Sequence, residues 1–313
     1  MNGNCSKGSL WSDPVYAAAF GLTFVAGLVL NSLALVFFFR FTQIRSQTTV
    51  YMKNLACADL LLVASLPIRC SFYILRQPFP QLLCELTGLI FLVNMYASIF
   101  FLTCISLDRC VAVCFPMKSV LSRLRRQAHW YSVGVWVLVV GASLPPYLHI
   151  KLAPRHLNAS CILCFDQRPN YITQPTTLAF TLLVGCGLPL ATILACSLAL
   201  MRTVRRSSAA RMDYIDWRKI RNMVVANVVI FTVCFLPYHV LLLLLKVWPS
   251  QKDRLLAAYL AAVPLACSNT VLDPLSYYFA TETFQRSLGI QAMKMALTTN
   301  TESDGHDRVR GNT

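Results

Sequence analysis

The chain has 313 residues, of which 56% are hydrophobic and only 13% charged, with a formal net charge of +15. A soluble domain carries roughly 25% charged residues, so this chain lacks the polar surface to stay in water and its apolar excess must face lipid. That argues against a soluble enzyme, a nucleic-acid-binding domain or a disordered regulator, and it assigns the basic surplus to cytoplasmic loops.

A bilayer core about 30 Å thick needs roughly 20 apolar residues of helix. Residues 15–39 are uncharged and follow Pro14. Residues 54–75 carry only Asp59 and Arg69, and 86–107 lie uncharged between Glu85 and Asp108. Residues 130–148 sit between two histidines, and 169–201 are uncharged throughout. Residues 222–245 are interrupted only by His239, and 255–280 only by Asp273. Seven spans are therefore expected. The first is too long for a signal-peptide core and lacks a basic cluster before it.

Arg40 and Arg45 follow span one, Lys118, Arg123, Arg125 and Arg126 follow span three, and seven basic residues from Arg202 to Arg221 separate spans five and six. These loops read as cytoplasmic, which places residues 1–13 outside as a short extracellular segment. Two glycosylation sequons agree, at Asn4 and at Asn158. A seven-span domain over 14–281 is followed by an amphipathic stretch, 282–294, whose Phe284 and Leu288 are i,i+4 and can face lipid. Residues 295–313 read as a polar, disordered cytoplasmic tail.

Polar groups inside a bilayer are costly, and each asks for a partner or a function. Asn31, Asp59, Asp108-Arg109-Cys110, Trp136, Pro189, Cys234-Phe235-Leu236-Pro237 and Asp273-Pro274-Leu275-Ser276-Tyr277 fall one to a span, in order. Over residues 14–292 the chain resembles the rhodopsin-like, class A G-protein-coupled receptors. The fold implied is an all-α bundle of seven transmembrane helices with a short eighth helix. The resemblance also implies a plasma-membrane location, heterotrimeric G proteins as partners at Arg109, arrestin as a further cytoplasmic partner, and neither catalytic residues nor a cofactor. It implies a disulfide between Cys84 and Cys164; Cys5 and Cys161 then either pair with each other or stay free.

Asp59 lies mid-span, while Asn94 and Ser98, and likewise Asn269 and Asp273, are i,i+4 and share a helix face. These five side chains can converge on one spot. In the family that spot is a sodium and water site, here centred on Asp59 and Ser98; the alternative is a hydrogen-bond network without an ion. The chain also departs from the family pattern. Cys110 replaces the usual Tyr after Arg109, Trp217 stands where many relatives have an acid, Phe235 replaces a common Trp, and Ser197 a common Tyr. No ion pair between Arg109 and span six is expected.

Phe91 stands where an aminergic receptor needs a carboxylate, and Cys267 where a retinal protein needs a lysine. The outer half offers cations instead: Arg69, Arg76, His149, Lys151, Arg155, His239, Lys246, Lys252 and Arg254. Arg69 is the most informative, because it sits about two turns inside its span, where an anionic ligand group would offset its cost. The alternatives are that it snorkels to water or pairs with Glu85. An anion fits nucleotides, carboxylates and lysophospholipids alike. Purinergic nucleotide receptors usually carry a second cation three residues after His239, where this chain has Leu242 within an apolar run, 241–245. Candidate ligand residues are therefore Arg69, His239, Lys246 and Arg254 for the anion and Phe91, Met95 and Leu242 for an apolar portion.

The runs Tyr51-Met52-Lys53-Asn54-Leu55, Ser65-Leu66-Pro67-Ile68-Arg69 and Asn94-Met95-Tyr96, with Leu272-Asp273-Pro274-Leu275 and Tyr277-Tyr278-Phe279, resemble the purinergic-like lysophospholipid receptors. That resemblance implies lysophosphatidic acid as ligand, with Arg69 on its phosphate and membrane lipids around it. A receptor for a nucleotide or other small anion, and a lipid scavenger that does not signal, remain open. Seven unlike spans without internal repeats argue against a transporter.

Overall fold

The structure, a computed structural model, describes residues 13–40, 47–75, 80–115, 127–152, 174–208 and 217–280. Seven helical segments are long and apolar enough to cross a membrane, and no strand occurs among the described residues. Helix α1 is Asp13–Arg40, α2 Gln47–Leu75, α3 Gln81–Cys114 and α4 Ala128–Leu152. Helix α5 runs through Pro175–Phe180, a π-helical turn Thr181–Gly187, and Leu188–Ser208. Helix α6 repeats that pattern in Trp217–Ile230, the π-turn Phe231–Phe235, and Leu236–Val247. Helix α7 comprises Lys252–Cys267 and Asn269–Ala280, broken at Ser268.

Both wide turns end two residues before a proline, Pro189 in α5 and Pro237 in α6. A proline ring removes one N–H and crowds the carbonyl four residues back, and widening the preceding turn lets neighbouring carbonyls find donors one residue further on. Each of these two helices thus accommodates its proline through a π-turn.

Helix α3 is the axis of the bundle, packing against α2, α4, α5, α6 and α7. Leu55, Leu62 and Leu66 from α2, Phe231, Phe235 and Tyr238 from α6, and its own Phe101 and Leu102 all belong to one buried core. Leu22, Val25, Val137, Leu183 and Leu188 point outward, as lipid-facing residues should. Lipid tails are as apolar as leucine, so packing and interhelical hydrogen bonds, the latter worth about 0.6–2 kcal/mol each, must hold the helices together.

The polar residues noted one to a span supply those bonds. Asn31 Nδ2 donates to Thr270 O on α7 at 2.7 Å. Trp136 Nε1 donates to Asn54 Oδ1 on α2 at 2.9 Å, and Thr48 Oγ1 donates to Asp108 Oδ2 on α3.

Helix α3 continues to Cys114, more than a turn beyond Arg109. The extension is stable because Cys110, Val113 and Cys114 pack with Cys196 and Leu200 of α5. His239, counted among the cations near the mouth, is instead 1% exposed inside the bundle. It lies one turn after Phe235, whose carbonyl oxygen is 2.8 Å from its Nδ1. The amphipathic stretch 282–294, the tail, Asn4, Asn158, Cys5, Cys161 and Cys164 lie outside the described residues.

Candidate functional site

Arg69 projects from α2 into the bundle and is only 5% exposed, so it does not snorkel to the surface. Its Nη2 donates to Thr87 O on α3 at 3.2 Å, and the guanidinium carbon lies 5.4 Å from the centroid of the Phe91 ring. That is within cation–π range. Phe91 in turn meets Tyr238 of α6 edge-on at 5.7 Å, and the Tyr259 hydroxyl of α7 donates to that of Tyr238 at 3.5 Å. Four helices thus present one guanidinium, two phenols and an aromatic face to a common region of the outer half.

The other expected ligand residues divide into two groups. Met95 and Leu242 are buried in the core. Lys246, Lys252 and Arg254 are exposed at the outer ends of α6 and α7. His149 and Lys151 belong to the outer end of α4, and Arg76 and Arg155 lie outside the described residues. Cys84, at the outer start of α3, is disulfide-bonded, and its expected partner Cys164 is among the residues not described.

Leu242 is fully buried. A small crevice of about 60 Å³ lies between α3, α4 and α5, lined by Leu92, Tyr96 and Phe100, by Val139, Ala142 and Ser143, and by Thr181 and Gly185. Leu138 and Phe180, both largely exposed, stand on its lipid side. Tyr96 joins the crevice to the interior, because its ring meets the His239 ring edge-on at 5.9 Å. Gly185 makes this placement feasible: a Cβ there would come within 2.7 Å of Tyr96 Cε1.

Lower in the bundle, the five residues of the expected ion site do converge. Asn94 Nδ2 donates to Asp59 Oδ1 at 3.1 Å, while Asn269 Nδ2 lies 3.0 Å from Ser98 Oγ and 3.3 Å from Asp273 Oδ2. Asp59 Oδ2, Asn269 Oδ1 and Asp273 Oδ1 are buried and find no hydrogen-bond partner among the described residues. Three unmatched oxygens, two of them carboxylate, fit a hard monovalent cation, since oxygen donors and negative charge are what such an ion requires. No cluster of three or more His, Cys, Asp or Glu suited to a metal occurs among the described residues, so backbone, amide and hydroxyl groups or water must complete any coordination.

One further polar contact had no counterpart among the expected sites. Asn227 Nδ2 of α6 donates to Ser106 Oγ of α3 at 3.0 Å, and Ser106 Oγ donates to Leu102 O at 2.9 Å. Asn227 is 1% exposed. Its position within an otherwise apolar run is the same signal that singles out Asn31. Tyr96, Thr181 and Ser143 carry no comparable signal, because hydroxyls in a span ordinarily bond their own helix.

Residues 30–277 match the family described as 7 transmembrane receptor (rhodopsin family). Lysophosphatidic acid receptor 6 of Homo sapiens is 34% identical over 297 residues, covering 91% of this chain and 86% of that protein. Lysophosphatidic acid receptor 4 of Homo sapiens is 33% identical, with 93% and 81% covered. Lysophosphatidic acid receptor 5 of Bos taurus is 35% identical, with 89% and 79% covered. Identities this similar do not choose among the subtypes. Seven membrane-crossing helices in the expected order, the polar residues that tie them, and matches spanning nearly the whole chain establish that this protein belongs to the rhodopsin family of seven-transmembrane receptors.

Proposed function

We propose that this receptor recognises an extracellular anionic lysophospholipid, most concretely lysophosphatidic acid, and signals through heterotrimeric G proteins at the plasma membrane with its N-terminus outside. What carries the proposal is Arg69, a guanidinium held almost wholly out of water against Thr87 and Phe91 on the inner side of the bundle. Charge-assisted hydrogen bonds from such a group to phosphate are strong and planar. The apolar crevice, lined by Tyr96 and Phe100 and flanked on the lipid side by Leu138 and Phe180, offers a place for part of an acyl chain beside the buried Leu242. Lysophosphatidic acid receptors among the relatives support the same ligand. A triphosphate is served less well, because Phe91, Met95 and Leu242 in the buried outer half are apolar.

The remaining roles follow from the family and the geometry together. Cys84 pairs with Cys164 and fastens the second outer loop to α3. Lys246 and Arg254 steer the anion toward the opening. Asp59 and Ser98, with Asn94, Asn269 and Asp273, hold sodium in the resting receptor. Arg109 meets the G protein once α6 moves, and arrestin uses the same face.

The test is expression in cells lacking endogenous lipid receptors, with lysophosphatidic acid, lysophosphatidylserine, nucleotides and small carboxylates applied and calcium and Rho reporters read. Lysophosphatidic acid is expected to be the most potent. A response confined to nucleotides or carboxylates overturns the lipid reading, and saturable lipid binding without any reporter response overturns signalling in favour of a scavenger.

A further inference from the structure

Hydroxyls in these helices generally return to their own backbone: Ser132 bonds Ala128 O at 2.8 Å, Thr192 bonds Leu188 O at 2.8 Å and Ser197 bonds Ile193 O at 2.6 Å. Ser143 does not. It is 3% exposed, lines the crevice, and its Oγ finds no hydrogen-bond partner among the described residues. A polar group without a partner in hydrocarbon is costly, because no water reaches it.

The backbone beside it is also short of a partner. Ala142, exposed on the same crevice wall, has Pro145 and Pro146 at the third and fourth positions after it within α4. Neither proline has an N–H, so the Ala142 carbonyl loses both its 3₁₀ and its α-helical donor. An unpartnered hydroxyl and a carbonyl lacking its two usual in-helix donors therefore belong to adjacent residues that line one largely apolar cleft.

We infer that the crevice recognises a lipid chain bearing a hydroxyl group part-way along its length, with Ser143 Oγ donating to that hydroxyl and the Ala142 carbonyl accepting from it. A hydroxyl suits this pair better than a ketone or an ether, because it alone both accepts and donates. The inference rests on the proposal that a lysophospholipid chain lies in the crevice, and it deepens that proposal by naming what the chain carries.

The test compares oleoyl and ricinoleoyl lysophosphatidic acid, which differ by one mid-chain hydroxyl, on the full-length receptor at matched surface expression. The unmodified receptor is expected to respond to the ricinoleoyl ligand at about tenfold lower concentration, one decade being the scale of a single buried hydrogen bond. In Ser143→Ala the ratio between the two ligands should collapse toward one, and Ser143→Thr, which keeps the hydroxyl, should retain part of it. Ser143→Cys gives the same comparison should the alanine variant not reach the surface. Equal potency of the two chains on the unmodified receptor, or a preference that survives Ser143→Ala, overturns the inference while leaving the lysophospholipid reading intact. Silence toward both chains overturns the two together.

Discussion

The outer and inner halves of this bundle handle polarity in opposite ways. The outer half concentrates it in Arg69, a buried guanidinium held against Thr87 and Phe91. The inner half spreads it over contacts between helices, Thr48 with Asp108 and Asn227 with Ser106. A concentrated charge is suited to attracting something from outside the chain. Dispersed pairs are suited to holding two helices together until something displaces them. Asp59 and Asp273 lie between, two carboxylates with oxygens left unmatched, and share features of both.

If the contrast holds, the largest single effect belongs to Arg69. Arg69→Ala removes a charge-assisted pair worth roughly 2–4 kcal/mol in a partly dry pocket, about 30- to 1,000-fold in potency toward lysophosphatidic acid. Arg69→Lys keeps the charge without the planar fork and should recover part of that loss. An unshifted dose curve for Arg69→Ala at matched surface expression would move the phosphate site to Lys246 or Arg254.

The inner half should answer in basal signalling rather than in potency. With Trp217 where many relatives carry an acid, the Asn227–Ser106 bond is an α3–α6 tie in that half, and α6 is the helix expected to swing. Asn227→Leu removes a bond of about 0.6–2 kcal/mol and should raise ligand-independent G-protein activity roughly 3- to 30-fold. Ser106→Ala should do nearly the same, and the double variant should add little, since both sever one interaction. Additive effects, or basal activity unchanged in both, would show that the tie does not restrain α6.

The smallest effect is expected between the two halves. Replacing choline chloride by sodium chloride at equal ionic strength should weaken agonist binding a few-fold, on the order of 0.5–1 kcal/mol, and Asp59→Asn should remove the difference. A sodium response that persists in Asp59→Asn places the ion elsewhere, and no response in the unmodified receptor leaves the five side chains as a hydrogen-bond network alone.

The polar centre between the halves is legible in the residue spacing. Asp59, Asn94, Ser98, Asn269 and Asp273 can be placed on shared faces by i,i+4 spacing and depth in the span, and they meet. His239 cannot be placed that way, because its depth depends on how far α6 extends outward before the loop, which hydropathy marks only loosely. The crevice is equally hidden from local pattern. It exists because Gly185 lets Tyr96 lean toward α5, a relation between residues on separate spans that no local pattern records.

The amino-acid sequence by itself determined the seven spans, the cationic loops and the identity of the polar residues inside, because uncharged run length and the cost of intramembrane polar groups are local properties. Only the tertiary structure decided which polar group meets which, that Arg69 turns inward against Phe91, and that a crevice lies between α3, α4 and α5. The physical reason is the solvent. In water an apolar stripe tells a helix which face to bury, but in lipid both faces of α1 or α4 are apolar, so the rotation of each helix is set by packing and by a few hydrogen bonds across the bundle.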